Sequence, residues 1–530
     1  DFSTLSASDI ALIVANNTQL KKQNTALENK QQELLQKIHW FEEQFKLLRH
    51  QKFASSSEKL SHLSDIQEQL FDEGAEMLGA EGDGEEDQAQ QKAEEGQQAE
   101  TEEITYTRLK PKRKNRNIDT SHLPREKRYL DLSEEEKRCS CGCGLEKIGE
   151  DIKEVVEYKP ATTTVIEYIR LKYTCRQCET IKTAPVIELP IPKSKASASL
   201  LTEIIINKYR FHLPLYRQSK MLKQYGLDVP DNTLGGWVMQ SAEQLEPLGE
   251  ALWKAINETH ALQADETPVK VLEPEQKGYM WLYHSYLPGK RFVVFEFSLS
   301  RSADVVNTRL KEFKGLLQTD GYSGYNTQRA RTDIVSLGCW DHARRKFTDV
   351  VKVCGKNKMG KAGETLKKIG QLYEIEREIK DLTPDERKAI RQSKAKPKLD
   401  ALQGYLNKIN APPKSLLSQA VTYCKNQWAD LTRYVDYGEA QLSNCWIENQ
   451  VRPFAVGKRN WLFVGNEESA GRAALLYSLI QSCELNEIDP RAYLEYVLGQ
   501  VHHMRRKTVD PTSLLPHRIN KQLLQNSSLS

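Results

Sequence analysis

Apolar side chains return every seventh position between residues 8 and 50: Ile13, Leu20, Leu27, Leu34, Phe41 and Leu48. That repeat predicts one long helix whose apolar seam faces a partner helix rather than a globular core. With these as d positions, the a positions are Asn17, Asn24, Gln31, Ile38 and Phe45. Asparagine at a costs stability but favours a parallel dimer in one register, so a homodimer or larger homo-oligomer is expected. Residues 197–245 also carry a helical period. One helix ends at Tyr225-Gly226, and the turn Leu227-Asp228-Val229-Pro230 leads to Asp231 or Asn232 as cap of the next. Helix, glycine-bearing turn and helix form the helix-turn-helix pattern, which plain helical bundles share.

From residue 258 the period shortens towards two. THALQADETPVKVL, KGYMWLYHSYL and RFVVFEFSLS predict three strands joined by tight turns, an antiparallel meander. ADVVNTRLKEF is an amphipathic helix, GLLQTD a short buried strand, IVSLGCW another strand, and DHARRKFTDVV a helix. The order β-β-β-α-β-β-α is that of an RNase H-like core. In that fold the first and fourth strands lie side by side, so Asp265 and Asp320 would project close together.

Adjacent carboxylates repel unless a cation sits between them. Mg²⁺ is the expected cation, with Mn²⁺ as the alternative; it is held by few carboxylates plus water and substrate phosphate. Two such ions about 3.5–4 Å apart would support an in-line displacement at phosphorus. A third carboxylate is then required, and Glu448 in NCWIENQVRPFAVGKRNWLFVG is the choice, with Arg452 one helical turn after it. Between Asp320 and Glu448 lies a Lys-rich stretch without strand alternation, roughly 352–437, which reads as a helical insertion before the last catalytic helix. On pattern alone the two aspartates also fit ordinary strand-end turns, since Asp320 precedes Gly321.

Composition adds the remaining units. The 76 basic and 73 acidic residues nearly cancel, so distribution matters more than net charge. Residues 72–103 are acidic, Gln-rich and almost free of large apolar side chains, which predicts a disordered linker. The sign then flips in LKPKRKNRN, where Lys112, Arg113 and Lys114 suit phosphate contact. Ten cysteines are present, and five lie in two tight clusters, Cys139/Cys141/Cys143 and Cys175/Cys178. Strand-patterned sequence separates the clusters, as in a zinc ribbon. Four of these five thiolates would hold one structural Zn²⁺, which leaves no open position. No apolar run is long enough to cross a bilayer and no secretory signal is present, so a cytoplasmic protein without membrane contact is expected.

Several motifs together resemble the insertion-sequence-66 family of transposases. They are FASSSEKL (53–60), CGCGLEKIGED (141–151), YTCRQCE (173–179), HLPLYRQ (212–218), ADETPVKV (264–271), LQTDGYSGYN (317–326), GCWDHARRKF (338–347) and ENQVRPFAVGKRNWLFVG (448–465). They run in family order across almost the whole chain. The resemblance implies a DDE core, a zinc-binding domain ahead of it, and cut-and-join chemistry on the ends of a bacterial mobile element. ADET carries the first catalytic position to Asp265, LQTDGY the second to Asp320, and the E-x-x-x-R-P segment the third to Glu448. Two departures stand out: Leu442-Ser443-Asn444 replaces the usual Asp-Asn-Asn, and the first cysteine cluster is C-x-C-x-C.

The chain therefore reads as an α/β multidomain protein: a dimerising coiled coil (1–71), an acidic linker (72–103), a basic segment with zinc ribbon (104–194) and a helical DNA-binding region (195–256). An RNase H-like core follows in two parts (257–351 and 438–500), interrupted by the helical insertion (352–437) and trailed by a C-terminal tail (501–530). The function implied is Mg²⁺-dependent cleavage and strand transfer of double-stranded DNA, element ends and target alike. Nucleoid association, and cooperation with other proteins of the element, go with that reading. Expected DNA contacts are Lys112, Arg113, Lys114, Arg344, Arg345, Arg452, Lys458 and Arg459, with His342 near the site. The competing readings are a non-catalytic DNA-binding regulator and an inactive relative of the transposase.

Overall fold

The computed structural model describes residues 7–53, 162–174, 181–354 and 360–525. Contacts divide the chain into residues 1–82 with 166–530, and residues 83–165. Nearly all of the second unit, and the cysteine clusters, lie outside the described residues, as do the linker, Lys112, Arg113 and Lys114.

The first helix, α1 (Ala7–Phe53), runs the full length of the heptad pattern. Its d residues Leu20, Leu27, Leu34 and Phe41 are all more than half exposed in the single chain, as are Ile38 and Phe45 at a. Two three-residue strands, β1 (Lys172–Thr174) and β2 (Ile181–Thr183), pair antiparallel on either side of the second cysteine cluster.

Four helices follow: α2 (Ala198–Tyr209), α3 (Leu215–Gln224), α4 (Asp231–Gln244) and α5 (Glu246–Glu258). Ser197 caps α2 by accepting the Leu200 N–H. At the expected turn, α3 ends before Tyr225 and Gly226 takes φ +84°, a left-handed value that glycine adopts without strain. The cap of α4 is Pro230 rather than Asp231 or Asn232; Asp231 opens the helix instead, beside the positive end of its dipole.

The sheet then forms in the predicted order: β3 (Ala261–Glu273), β4 (Gln276–Ser285), β5 (Phe292–Ser298), helix α6 (Ala303–Arg309), β6 (Gly315–Gln318), short helix α7 (Asn326–Arg329) and β7 (Ile334–Leu337). Its spatial order is β5-β4-β3-β6-β7. The first three strands are antiparallel, whereas β6 joins β3, and β7 joins β6, in parallel. Gly315 makes this junction possible. Its φ is +123°, and a Cβ there would stand 2.3 Å from the His260 carbonyl oxygen.

Helix α8 (Trp340–Cys354) leads into an all-helical insertion: α9 (Gly360–Glu378), α10 (Pro384–Ile390), a π-turn (Arg391–Ala395), α11 (Lys396–Asn407), α12 (Leu416–Asn426) and α13 (Trp428–Thr432). The chain returns through α14 (Cys445–Trp461), β8 (Val464–Asn466), α15 (Glu467–Leu485), α16 (Pro490–Gly499), α17 (Val501–Arg505) and α18 (Lys521–Gln525). Strand β8, absent from the sequence reading, pairs with the far end of β3 at Val271↔Val464.

Two cores sandwich the sheet. One joins α2, α4, α5, α15 and α16 to the face bearing Leu262, Ala264 and Leu317. The other joins α8 and the insertion to the face bearing Ala261, Leu316 and Leu337. Helix α15 also covers the outer edge of β5: Ser478 and Ser482 accept the Phe295 and Val293 N–H groups at 2.8 and 3.1 Å. A sheet edge that would otherwise recruit foreign strands is thereby closed. Residues 501–525, read above as a tail, are a correction. Met504, Leu514, Leu515, Ile519 and Leu524 are buried against the first core.

Candidate active site

Asp265 lies in β3, and Asp320 follows the end of the neighbouring strand β6 by two residues. The β3–β6 ladder pairs Gln263 with Gln318. Each aspartate lies two residues further on, and side chains two apart in extended backbone share a face. The glutamines prove that the face is common: Gln263 Nε2 donates to Gln318 Oε1 at 2.8 Å.

The same pair seats the third carboxylate. Gln263 Nε2 also donates to the Ser443 carbonyl at 3.0 Å, and its Oε1 accepts the Ile447 N–H at 3.0 Å. Gln318 Nε2 donates to the carbonyls of Gly338 and Gln441 at 2.9 and 2.8 Å. Asn444 adds a longer bond to the Ala264 carbonyl, 3.3 Å. Both glutamines and Asn444 are fully buried. The first turn of α14, with Glu448 in it, is thus pinned over β3 and β6.

Electrostatics register the convergence. Asp265 is pushed up to about 8, first by burial and then by the negative charges of Glu266, Glu448 and Asp320. Local bonds hold two of the three acids: Asp265 Oδ1 accepts the Glu266 N–H and Asp320 Oδ1 accepts the Tyr322 N–H, both at 2.9 Å. Arg345 donates to Glu448 Oε2 at 3.1 Å, and His342 Nδ1 lies 3.7 Å from Oε1. Burial holds the His342 ring below the usual imidazole range. Glu266 points away with the opposite face of β3, where Arg301 and Tyr325 bind it. These contacts tie the loop after Asp320 back to β3.

Replacing Gln263 isolates the role of this polar pair. Gln263→Leu leaves the Ile447 N–H, the Ser443 carbonyl and Gln318 Oε1 buried without partners. The expected loss is about 3 kcal/mol in denaturant unfolding. Wild-type stability in that variant would mean the glutamines do not hold α14.

Four family models match the chain. Residues 193–472 match the model described as Transposase IS66 family, which covers more than half of it. The chain belongs to the IS66 family of transposases. Residues 136–179 match the zinc-finger binding domain of transposase IS66, residues 478–517 the IS66 C-terminal element, and residues 40–128 the model named Transposase C of IS166 homeodomain. The chain is 33% identical over 400 residues to the uncharacterized protein y4jD of Sinorhizobium fredii (strain NBRC 101917 / NGR234), covering 72% of this chain and 77% of that one. It is 31% identical to y4hP of the same organism, over 75% of each chain.

Within this IS66 family member the residues expected to touch DNA are dispersed. Arg345 is engaged by Glu448. Arg344 lies over the Tyr373 ring, 5.9 Å from its centroid. Lys458 donates to the Pro268 carbonyl at 2.8 Å, and Arg452 and Arg459 are exposed on α14. Gln263, Gln318 and Asn444 escaped the sequence reading. A signal was present: both aspartates stand in the same tetrapeptide pattern, Leu262-Gln263-Ala264-Asp265 and Leu317-Gln318-Thr319-Asp320. Among the described residues no helix is long and apolar enough to cross a membrane.

Proposed function

We propose that the chain is a DDE transposase with an RNase H-like core, in which Asp265, Asp320 and Glu448 hold Mg²⁺ for DNA cleavage and strand transfer. The observation that carries this reading is the buried Gln263–Gln318 pair that seats the helix of Glu448 over β3 and β6, beside a half-buried Asp265 that Glu266, Glu448 and Asp320 push upward. The strand order, with the first strand flanked by the second and fourth, agrees with it. The donor set fits the ion: three half-buried carboxylates converge, and the buried Asn444 Oδ1 beside them has no partner among the described residues. Bound there, Mg²⁺ would neutralise the carboxylates and polarise a phosphodiester for in-line attack.

The chain's own contribution is arrangement. Gln263 and Gln318 fix α14 over β3 and β6, and Arg345 orients Glu448. Lys458, Arg459 and Arg452 lie along the continuation of α14 and offer positive charge to a strand running past the acids. A ribbon built from four of Cys139, Cys141, Cys143, Cys175 and Cys178 would hold Zn²⁺ without catalysing anything. The heptad repeat of α1, with Leu20, Leu27 and Leu34 exposed, would pair two copies, which suits a reaction that must bring two DNA ends together.

The test is nicking of a duplex carrying the element end. Wild type should nick in Mg²⁺ and stop on chelation. Glu448→Gln should bind the duplex and leave it intact. Nicking at the wild-type rate by Glu448→Gln would remove Glu448 from the site. Binding without nicking by wild type, in Mg²⁺ or Mn²⁺, would favour a DNA-binding regulator.

A further inference from the structure

One cluster beside the acids has no part in the function proposed above except through Glu448. Cys339 ends the turn after β7, and His342 follows one helical turn later at the start of α8. The C-x2-H spacing brings both to the side of α8 that meets Glu448. One donor atom from each of Cys339, His342 and Glu448 lies within 4.8 Å of the other two. Cys339 is buried and in no disulfide. Its sulfur accepts the Asn444 N–H at 3.2 Å, which fixes it against the base of α14. His342 Nδ1 is buried with no hydrogen-bond partner among the described residues, and it faces Glu448 Oε1. Arg345 approaches Oε2 more closely than Oε1, 3.1 against 3.5 Å, which leaves Oε1 towards the imidazole.

Sulfur, imidazole nitrogen and carboxylate oxygen together suit Zn²⁺, which takes three such protein ligands and keeps a fourth position open. Mg²⁺ takes oxygen donors and does not select a thiolate. We propose that Cys339, His342 and Glu448 form an inhibitory site for a thiophilic divalent cation of the Zn²⁺ class. This rests on the catalytic role of Glu448 given above. On binding, the Cys339 S–H bond breaks, its proton passes to bulk water, and the sulfur gives an electron pair to the cation; no oxidation state changes. Occupation holds Glu448 Oε1 at His342, where it already lies, and keeps it from turning to an ion between Asp265 and Asp320. With Oε1 held by the soft cation and Oε2 by Arg345, Glu448 has no oxygen left for Mg²⁺, so the soft cation shuts the Mg²⁺ reaction off.

The test uses the full chain, first given Zn²⁺ to fill the cysteine ribbon and then titrated with Co²⁺. Wild type should bind about one further equivalent with thiolate-to-cobalt absorption. Cys339→Ser should lose that absorption while retaining an acceptor for the Asn444 N–H. His342→Gln serves as the second variant and should weaken Co²⁺ binding by about tenfold or more. No thiolate absorption beyond the ribbon in wild type, or the same spectrum in Cys339→Ser, overturns the site. In nicking at fixed Mg²⁺, added Zn²⁺ should depress wild type by about tenfold and leave Cys339→Ser within about twofold. Equal inhibition of both overturns the regulatory claim. If neither protein nicks in Mg²⁺ alone, the proposed function fails, whereas the Co²⁺ spectra still decide the site.

Discussion

Asp265→Asn is expected to abolish Mg²⁺-dependent nicking, by about a thousandfold or more, while making the metal-free protein more stable at neutral pH. Both effects have one cause. In the folded chain Asp265 is pushed up to about 8 by burial and by its acidic neighbours, against 3.8 ordinarily. The folded state therefore binds this proton more tightly than the unfolded state. Stability from this group is fully present below about pH 4 and is lost as pH rises towards 8. The penalty at pH 7 is at most about 4 kcal/mol. Asparagine carries no charge and escapes it. Urea unfolding in chelator at pH 5 and pH 8 should show wild type losing much more stability than Asp265→Asn. Added Mg²⁺ should restore the wild type alone, by mass action. Parallel pH profiles for the two proteins would mean that Asp265 does not sit among converging charges.

Arg391→Met is expected to destabilise the chain by about 3–5 kcal/mol, because it strands a carboxylate and several carbonyls. Arg391 is fully buried. Its guanidinium donates to both oxygens of Glu376 at 2.8 and 2.6 Å. It also donates to the carbonyls of Tyr437 and Ala440 at 2.7 and 2.9 Å, with longer bonds to Tyr434 and Gly438. The clamped stretch, 434–440, leads directly into α14 and Glu448. Loss of the clamp should therefore weaken cleavage as well as folding. Lysine should not rescue, since one ammonium cannot reproduce the planar fork. A cost below about 1 kcal/mol in Arg391→Met would show that the insertion does not hold the approach to α14.

The strands and both aspartates were legible because their signal is local. Alternation marks β3 to β5, short apolar runs mark β6 and β7, and the RNase H-like order, with its first and fourth strands side by side, is what set Asp265 near Asp320 as an expectation. Glu448 was legible only through its motif, since nothing in its helical period distinguishes it from a surface acid. What brings Glu448 in is nonlocal: Gln263 reaches Ser443 and Ile447 across 180 and 184 residues. No window of sequence contains such a contact. Arg391 was hidden for a related reason. It stands in a Lys- and Arg-rich helical stretch that reads as solvated, and only folding reveals that one of those charges is enclosed. β8 has three residues, too few for alternation to show. The last turns were read as a tail because isolated leucines between prolines and basic residues carry no period. Their burial is set by the groove they fill. The coil was legible as a helix, Ala7–Phe53.

Anomalous diffraction from crystals of the full chain soaked in Mn²⁺ should show a manganese peak bounded by the carboxylates of Asp265, Asp320 and Glu448, absent from Asp265→Asn crystals grown in the same way. Manganese bound elsewhere, with those three side chains unliganded, would contradict the proposed site.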